Sequence, residues 1–415
     1  MSNKASNIVF SLLAALLLFA PLARGAVHNW AIGIIFLTVL AAAALYLAAG
    51  TWQWNLRWIK TPLDYPILAL VCLTLLSYMF SVHKPTSLLA SLELFSCIAV
   101  YYLTIHTVNS RSRIKQLVYL LLGISVFLAL FGLVKSSGLN PFPWWDYAHQ
   151  ANTTTLSATF GNRNHLAGWM ELSIALVLGF AIFQHKSRWK SISLALVLLL
   201  ITALVFSQSR GGWIAMLAAF MCMSFLLYRS NRLITSRWAV IMVNVVFVVG
   251  FIVVSSTPVT DRVLTAEAGF NDGSLASRIT TWSGVVDLAK ANPLLGTGPG
   301  TFAVSFPKYQ PPGFQAHLIY AHNDYLDFTS ELGFGLLVII AWMAVALYRH
   351  GLYKMRSKST LTRGVTLGGL TGITAILVHS FVDFNLHIPA NALLFTVLTA
   401  LVAAPKPKRG FEKQF

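Results

Sequence analysis

Between Ser256 and His322 the chain carries a long polar stretch that holds Arg262, Arg278 and a glycine-rich turn, Gly296-Thr297-Gly298-Pro299-Gly300. It ends in His322-Asn323-Asp324. An imidazole titrates near neutrality, so His322 is suited to take a proton from a hydroxyl as that hydroxyl attacks. Asp324, Asp327 and Glu331 recur at helical spacing, which places their carboxylates along one face of a helix whose first turn favours negative charge. Two arginines lie in separate blocks. Arg210 stands in Ser207-Gln208-Ser209-Arg210-Gly211-Gly212-Trp213, and Arg163 in Phe160-Gly161-Asn162-Arg163-Asn164-His165. A guanidinium keeps its charge at any relevant pH and grips a phosphate or diphosphate with two parallel hydrogen bonds. If Arg278 folds back toward Arg210 and Arg163, three cations surround one pocket. Plainer uses stand beside these: Asp324 as a helix cap, the arginines snorkelling to lipid headgroups, the histidine as a structural residue. His317, His165 and His149 offer the same proton chemistry in less suggestive surroundings. No HExxH, GxSxG, Walker loop or DxD pair is present, so no metal or cofactor is expected.

The elements that must position these residues are membrane spans. Of 415 residues 56% are hydrophobic and only 10% charged, and apolar runs of about 16 to 22 residues recur, each long enough to cross a hydrocarbon core of about 30 Å. No alternating pattern points to a barrel, so the spans are helices. Twelve are expected, at 8–23, 30–50, 65–82, 87–108, 116–134, 165–184, 191–206, 211–228, 239–256, 324–348, 364–381 and 388–404. The first is read as a span rather than a cleaved signal peptide, because a dozen spans already provide membrane targeting. The fold class is therefore an all-α polytopic membrane protein. Residues 1–415 form one membrane domain, with an intermediate loop at 135–164, a long loop at 256–323 that forms part of the site, and a basic tail at 405–415.

Placing the N-terminus inside puts 21 of the 30 Lys and Arg residues in the cytoplasm, mostly in short loops, where the positive-inside rule holds. Both termini are then cytoplasmic and the two larger loops face outward. The net charge of +17 belongs to these clusters at span ends, which contact anionic membrane lipids, and no nucleic acid is expected as a partner. Nine cations remain outside, Arg163, Arg210 and Arg278 among them. Cys72, Cys97 and Cys222 fall in apolar spans, with no disulfide framework or CxxC metal site. Phe142, Trp144 and Trp145 suit anchoring at the interface.

Four blocks in this order resemble those of the O-antigen ligase and polymerase superfamily: Asn162 to Ala167, Ser207 to Gly212, Asn292-Pro293-Leu294-Leu295 with the glycine turn, and Ala321 to Leu326 with Glu331-Leu332-Gly333. The resemblance implies a multi-span glycosyltransferase of the bacterial inner membrane, similar in fold to the lipid-linked-sugar (GT-C-like) transferases. It implies periplasmic, metal-independent, inverting transfer from undecaprenyl-diphosphate-linked glycans. Under it Arg210 and Arg278, with Arg163, bind the diphosphate, His322 is the base, and Asn164, Asn323, Asp324 and Glu331 support them. Arg163 departs from the small residue or proline more usual between the two asparagines. Within the superfamily the chain is most similar to O-antigen ligases, whose donor is the lipid-linked O-antigen and whose acceptor is lipid A-core. A polymerase using the same donor is the nearest alternative, and a flippase that binds the same diphosphate without chemistry is another, although no internal repeat of the kind found in transporters is visible.

Overall fold

The computed structural model describes residues 3–52, 58–145, 155–184, 187–230, 275–312 and 317–405. Among them every regular element is helical: α1 Asn3–Leu22, α2 Asn29–Trp52, α3 Asp64–Met79, α4 Lys84–Thr107, α5 Arg111–Ser136, α6 Arg163–Ile182, α7 Ser187–Phe206 and α8 Arg210–Arg229, then α9 Leu275–Ala291, α10 Asp324–Leu332, α11 Gly335–Met355, α12 Thr360–His379 and α13 Pro389–Ala403, with short helical turns between. Nine of these, α1, α2, α4 to α8, α11 and α12, are long and apolar enough to cross a membrane, and α3 and α13 are shorter apolar helices. The protein is a polytopic helical membrane protein. The expected span at 239–256 and nearly all of the basic tail lie outside the described residues.

The expected span at 324–348 is not one helix. It divides at Gly333, whose φ of +81° is readily adopted only without a Cβ. A Cβ there would also stand 2.3 Å from the carbonyl oxygen of Leu294. Just beyond, the Phe334 N–H donates to Pro293 at 2.9 Å instead of continuing the helical ladder. The Asn292 to Gly300 turn thus wedges between the nine-residue α10, which carries the carboxylates, and the apolar α11.

The centre of the bundle is the antiparallel pair α6 and α12. Gly364, Gly368 and Gly372 form a stripe at every fourth position of α12. A Cβ on Gly368 would come within 2.7 Å of the Ala175 carbonyl, and one on Gly179 within 2.4 Å of the Gly364 carbonyl. In hydrocarbon, helices gain nothing by hiding apolar surface from lipid, so close backbone packing between small residues is what joins them. Because the pair runs antiparallel, the start of α6 meets the end of α12. The start of α8 reaches the same end of the bundle, and there the polar residues gather.

Candidate active site

Three of the chemically suggestive sequence blocks fold as helix N-caps. Asn162 accepts the Asn164 N–H at 2.8 Å, Ser209 the Gly212 N–H at 3.2 Å, and Asn323 the Leu326 N–H at 3.1 Å. Asn323 is thus a cap in the plain sense. Arg163 and Arg210 become the first residues of α6 and α8, beside unsatisfied N–H groups and the positive end of each helix dipole.

His322 lies between Ala321, which is buried, and the Asn323 cap. Its backbone is left-handed, with φ +54°, a conformation that costs a non-glycine residue of order 1–3 kcal/mol and is found at functional sites. The imidazole is 31% exposed, so it is seated yet reachable. Its Nδ1 stands 3.6 Å from Oδ1 of Asp383, and its ring meets Phe384 edge to face at 4.8 Å. Asp383 is buried; it takes the Phe384 N–H at 2.9 Å and an N–H of the Asn164 side chain. Burial works against its charge, but the contact with His322 and the charges of His165, His379 and His322 outweigh it, so the Asp383 carboxyl is held below the usual carboxylate range. Sequence reading missed Asp383. The available signal was a second polar block between apolar runs, Asp383-Phe384-Asn385-Leu386-His387.

The three arginines converge. Nη1 of Arg278 donates to the carbonyl of Val382, the residue before Asp383, while its buried Nε has no partner. Arg163 feels the charges of Arg278 and Asp383, and Arg210 those of Arg163 and Arg278. Among the described residues no ion pair engages Arg163 or Arg210. The three guanidinia are therefore within electrostatic reach of one another, and Asp383, whose charge also acts on Arg163, stands beside His322. Arg262 and His149 lie outside the described residues, His317 is exposed, and His165 is buried with its ring against Phe384 at 5.0 Å.

The carboxylates of α10 hold backbone. Asp324 accepts from Ser380 Oγ at 2.6 Å, lies 2.7 Å from Nδ1 of His387, and takes the Leu386 N–H at 3.1 Å. Asp327 takes the Ala321 N–H at 2.9 Å through both oxygens. Glu331 takes the N–H groups of Gly300 at 2.8 Å and Phe302 at 3.1 Å, which fastens the glycine turn. Burial pushes Asp327 and Glu331 upward, with His387 working against it. His387 moves the other way: burial disfavours its charge, but the hydrogen bond and charge of Asp324, aided by Asp327 and Glu331, raise it to about 9. Away from this site, Trp145 donates from Nε1 to the Leu22 carbonyl at 2.8 Å, and Phe142, Trp144 and Trp145 pack together at ring distances of 4.9 to 5.6 Å.

No curated protein sequence matches the chain. A family model described as O-Antigen ligase matches residues 194–341, the segment that contains Arg210, Arg278, the glycine turn and His322. That match falls on three of the four ordered blocks, so over this segment the chain is similar to the O-antigen ligase family, which supports the resemblance to the O-antigen ligase and polymerase superfamily.

Proposed function

We propose that the protein is an O-antigen ligase of the bacterial inner membrane, transferring O-antigen from undecaprenyl diphosphate to lipid A-core at the periplasmic face. The observation that carries the reading is the gathering of Arg163, Arg210 and Arg278 beside the His322–Asp383 pair. An acceptor sugar hydroxyl gives its proton to Nε2 of His322, the ring nitrogen turned away from Asp383. The hydroxyl oxygen bonds to the anomeric carbon from the face opposite the diphosphate, and the carbon–oxygen bond to the diphosphate breaks with inversion. The departing undecaprenyl diphosphate takes that electron pair and is stabilised by the guanidinia, in the role a divalent cation plays elsewhere. Asp383 stabilises the imidazolium. Asn164 steers Asp383, while Asn323, Asp324 and Glu331 hold the backbone around the site.

An apolar cavity of about 360 Å³ beside α10, bordered by Phe328, Glu331 and His387, fits substrates that bring a lipid chain. The described part of the long loop supplies Arg278, and both termini lie in the cytoplasm. The test is transfer by purified protein. Losing a general base costs about 10² to 10⁴ in rate, so His322→Ala should nearly abolish attachment of O-antigen in protein that still inserts normally. Near-normal attachment overturns the reading. A knockout strain should accumulate full-length lipid-linked O-antigen; single repeat units would make the protein a polymerase.

A further inference from the structure

Beneath the arginine cluster lies a pair of ionisable side chains that the mechanism above does not use. Nδ1 of His379, the last residue of α12, stands 2.8 Å from Oε1 of Glu171 in α6. Both side chains are 0% exposed. Burying two such groups is expensive, and well-packed apolar residues of similar volume often stabilise a fold at least as well. Here the pair is not even fully satisfied, since Nε2 of His379 and Oε2 of Glu171 are buried without a hydrogen-bond partner. Stability alone is a poor reason to keep it.

Its neighbours supply a better one. The first turn of α8 is seated directly on the pair. A Cβ at Gly211 would stand 2.8 Å from both Cδ2 and Nε2 of His379, and one at Gly212 would stand 2.9 Å from Oε1 of Glu171. The two glycines that follow Arg210 are therefore what lets its helix start come down onto Glu171 and His379. On the other side, the N–H groups of Val382 and Asp383 both donate to the His379 carbonyl, at 2.9 and 3.0 Å. The Val382 carbonyl that receives Arg278 and the Asp383 carboxylate beside His322 are thus suspended from the same histidine.

We propose that Glu171 and His379 are positioning residues that lock α6, α8 and α12 together so that Arg210 faces Arg278 and the His322–Asp383 pair. The inference rests on the ligase reading above. Neither residue touches substrate. They act through the seat of α8 and through the turn that follows His379, and a displacement there of the order of 1 Å is enough to cost about 10²-fold in rate.

The experiment is a double-mutant cycle on the purified full-length protein, read as transfer from lipid-linked O-antigen to lipid A-core and, separately, as binding of undecaprenyl diphosphate. Glu171→Gln, His379→Gln and Gly211→Ala are each made alone and together with Arg210→Lys. Gly211→Ala leaves both partners in place and only lifts α8, so it carries the test if an altered pair does not fold. Each single change should lower kcat by about 10- to 100-fold with little change in acceptor KM. In the Arg210→Lys background the same changes should cost little more, because residues acting through one another are not additive. Losses that multiply in full, or near-normal kcat in folded single variants, overturn the proposal while leaving the ligase reading in place. Wild-type protein that neither binds undecaprenyl diphosphate nor transfers overturns both.

Discussion

Asp327 grips the backbone N–H of Ala321 with both carboxylate oxygens at 2.9 Å, and the residue that follows Ala321 is His322 in its left-handed conformation. The strain at His322 is held from one side by this contact and from the other by the Asn323 cap. Asp327→Ala removes the acceptor and leaves a buried N–H unpaired, at about 1–3 kcal/mol. His322 can then relax to an unstrained backbone and carry its imidazole away from Asp383. The expected outcome is a loss of about tenfold or more in kcat, whereas Asp327→Asn, whose amide oxygen still accepts, should retain most activity. Equal losses in the two variants would separate Asp327 from the placement of His322.

Asp383 is expected to matter to the chemical step. Its carboxyl is held below the usual carboxylate range, so it stays negative across the working pH, and in the proposed mechanism it balances the imidazolium on His322. Asp383→Asn preserves shape and removes that charge. By analogy with other base–carboxylate pairs the loss in kcat should be on the order of 10² to 10⁴, with donor binding nearly unchanged because the arginines are untouched. Single-turnover transfer alongside undecaprenyl diphosphate binding separates the two. Weakened binding with normal turnover would place Asp383 with the arginines instead.

The membrane helices were legible from hydropathy because each crossing needs a long apolar run, and ten of the twelve expected spans each fall on a single described helix. The break at Gly333 was not, because hydropathy is continuous from Leu332 onward and the cause is a tertiary one: the Pro293 and Leu294 carbonyls occupy the space that a continued helix needs. For the same reason Asp324, Asp327 and Glu331 read as a stripe along one helix, while the N–H donors that engage Asp327 and Glu331 come from loops before α10, and one that engages Asp324 from the turn after α12. The arginines stood out in the sequence because the expected topology leaves them unexplained by the positive-inside rule, and His322 because an imidazole beside an asparagine and a carboxylate suits proton transfer. Asp383 was not, since nothing near it in sequence names His322 or Asn164 as its neighbours; only the packing of α6 against α12 brings them together.

The arginine cluster predicts that transfer does not depend on a divalent cation. After exhaustive chelation the purified protein should keep its full rate. Removing one preorganised donor to a developing anion costs about 10² to 10³ in kcat, so Arg210→Ala and Arg278→Ala should each fall by that order. Lysine should restore only part of the loss at Arg210, because a point charge lacks the two-pronged geometry of a guanidinium. Activity abolished by chelator and recovered with magnesium or manganese would contradict this division of labour.

His387 sets the expected dependence of stability on pH. Its imidazole is raised to about 9 by the hydrogen bond and charge of Asp324, with Asp327 and Glu331, against the cost of burial. A group whose folded-state value lies above its ordinary value of about 6.5 gives stability that is fully present below that value and lost as pH rises through the folded one. The thermal midpoint of the wild-type protein should therefore fall between about pH 6.5 and pH 9 to 10, as the charged partner of Asp324 is lost and the turn after α12 loosens. His387→Asn has no such proton to lose. Its midpoint should begin lower at pH 6.5, and the gap from wild type should close toward pH 10. A gap that stays constant across that range would show that Asp324 and His387 meet as a neutral pair, and the anchoring of α10 would then owe nothing to charge.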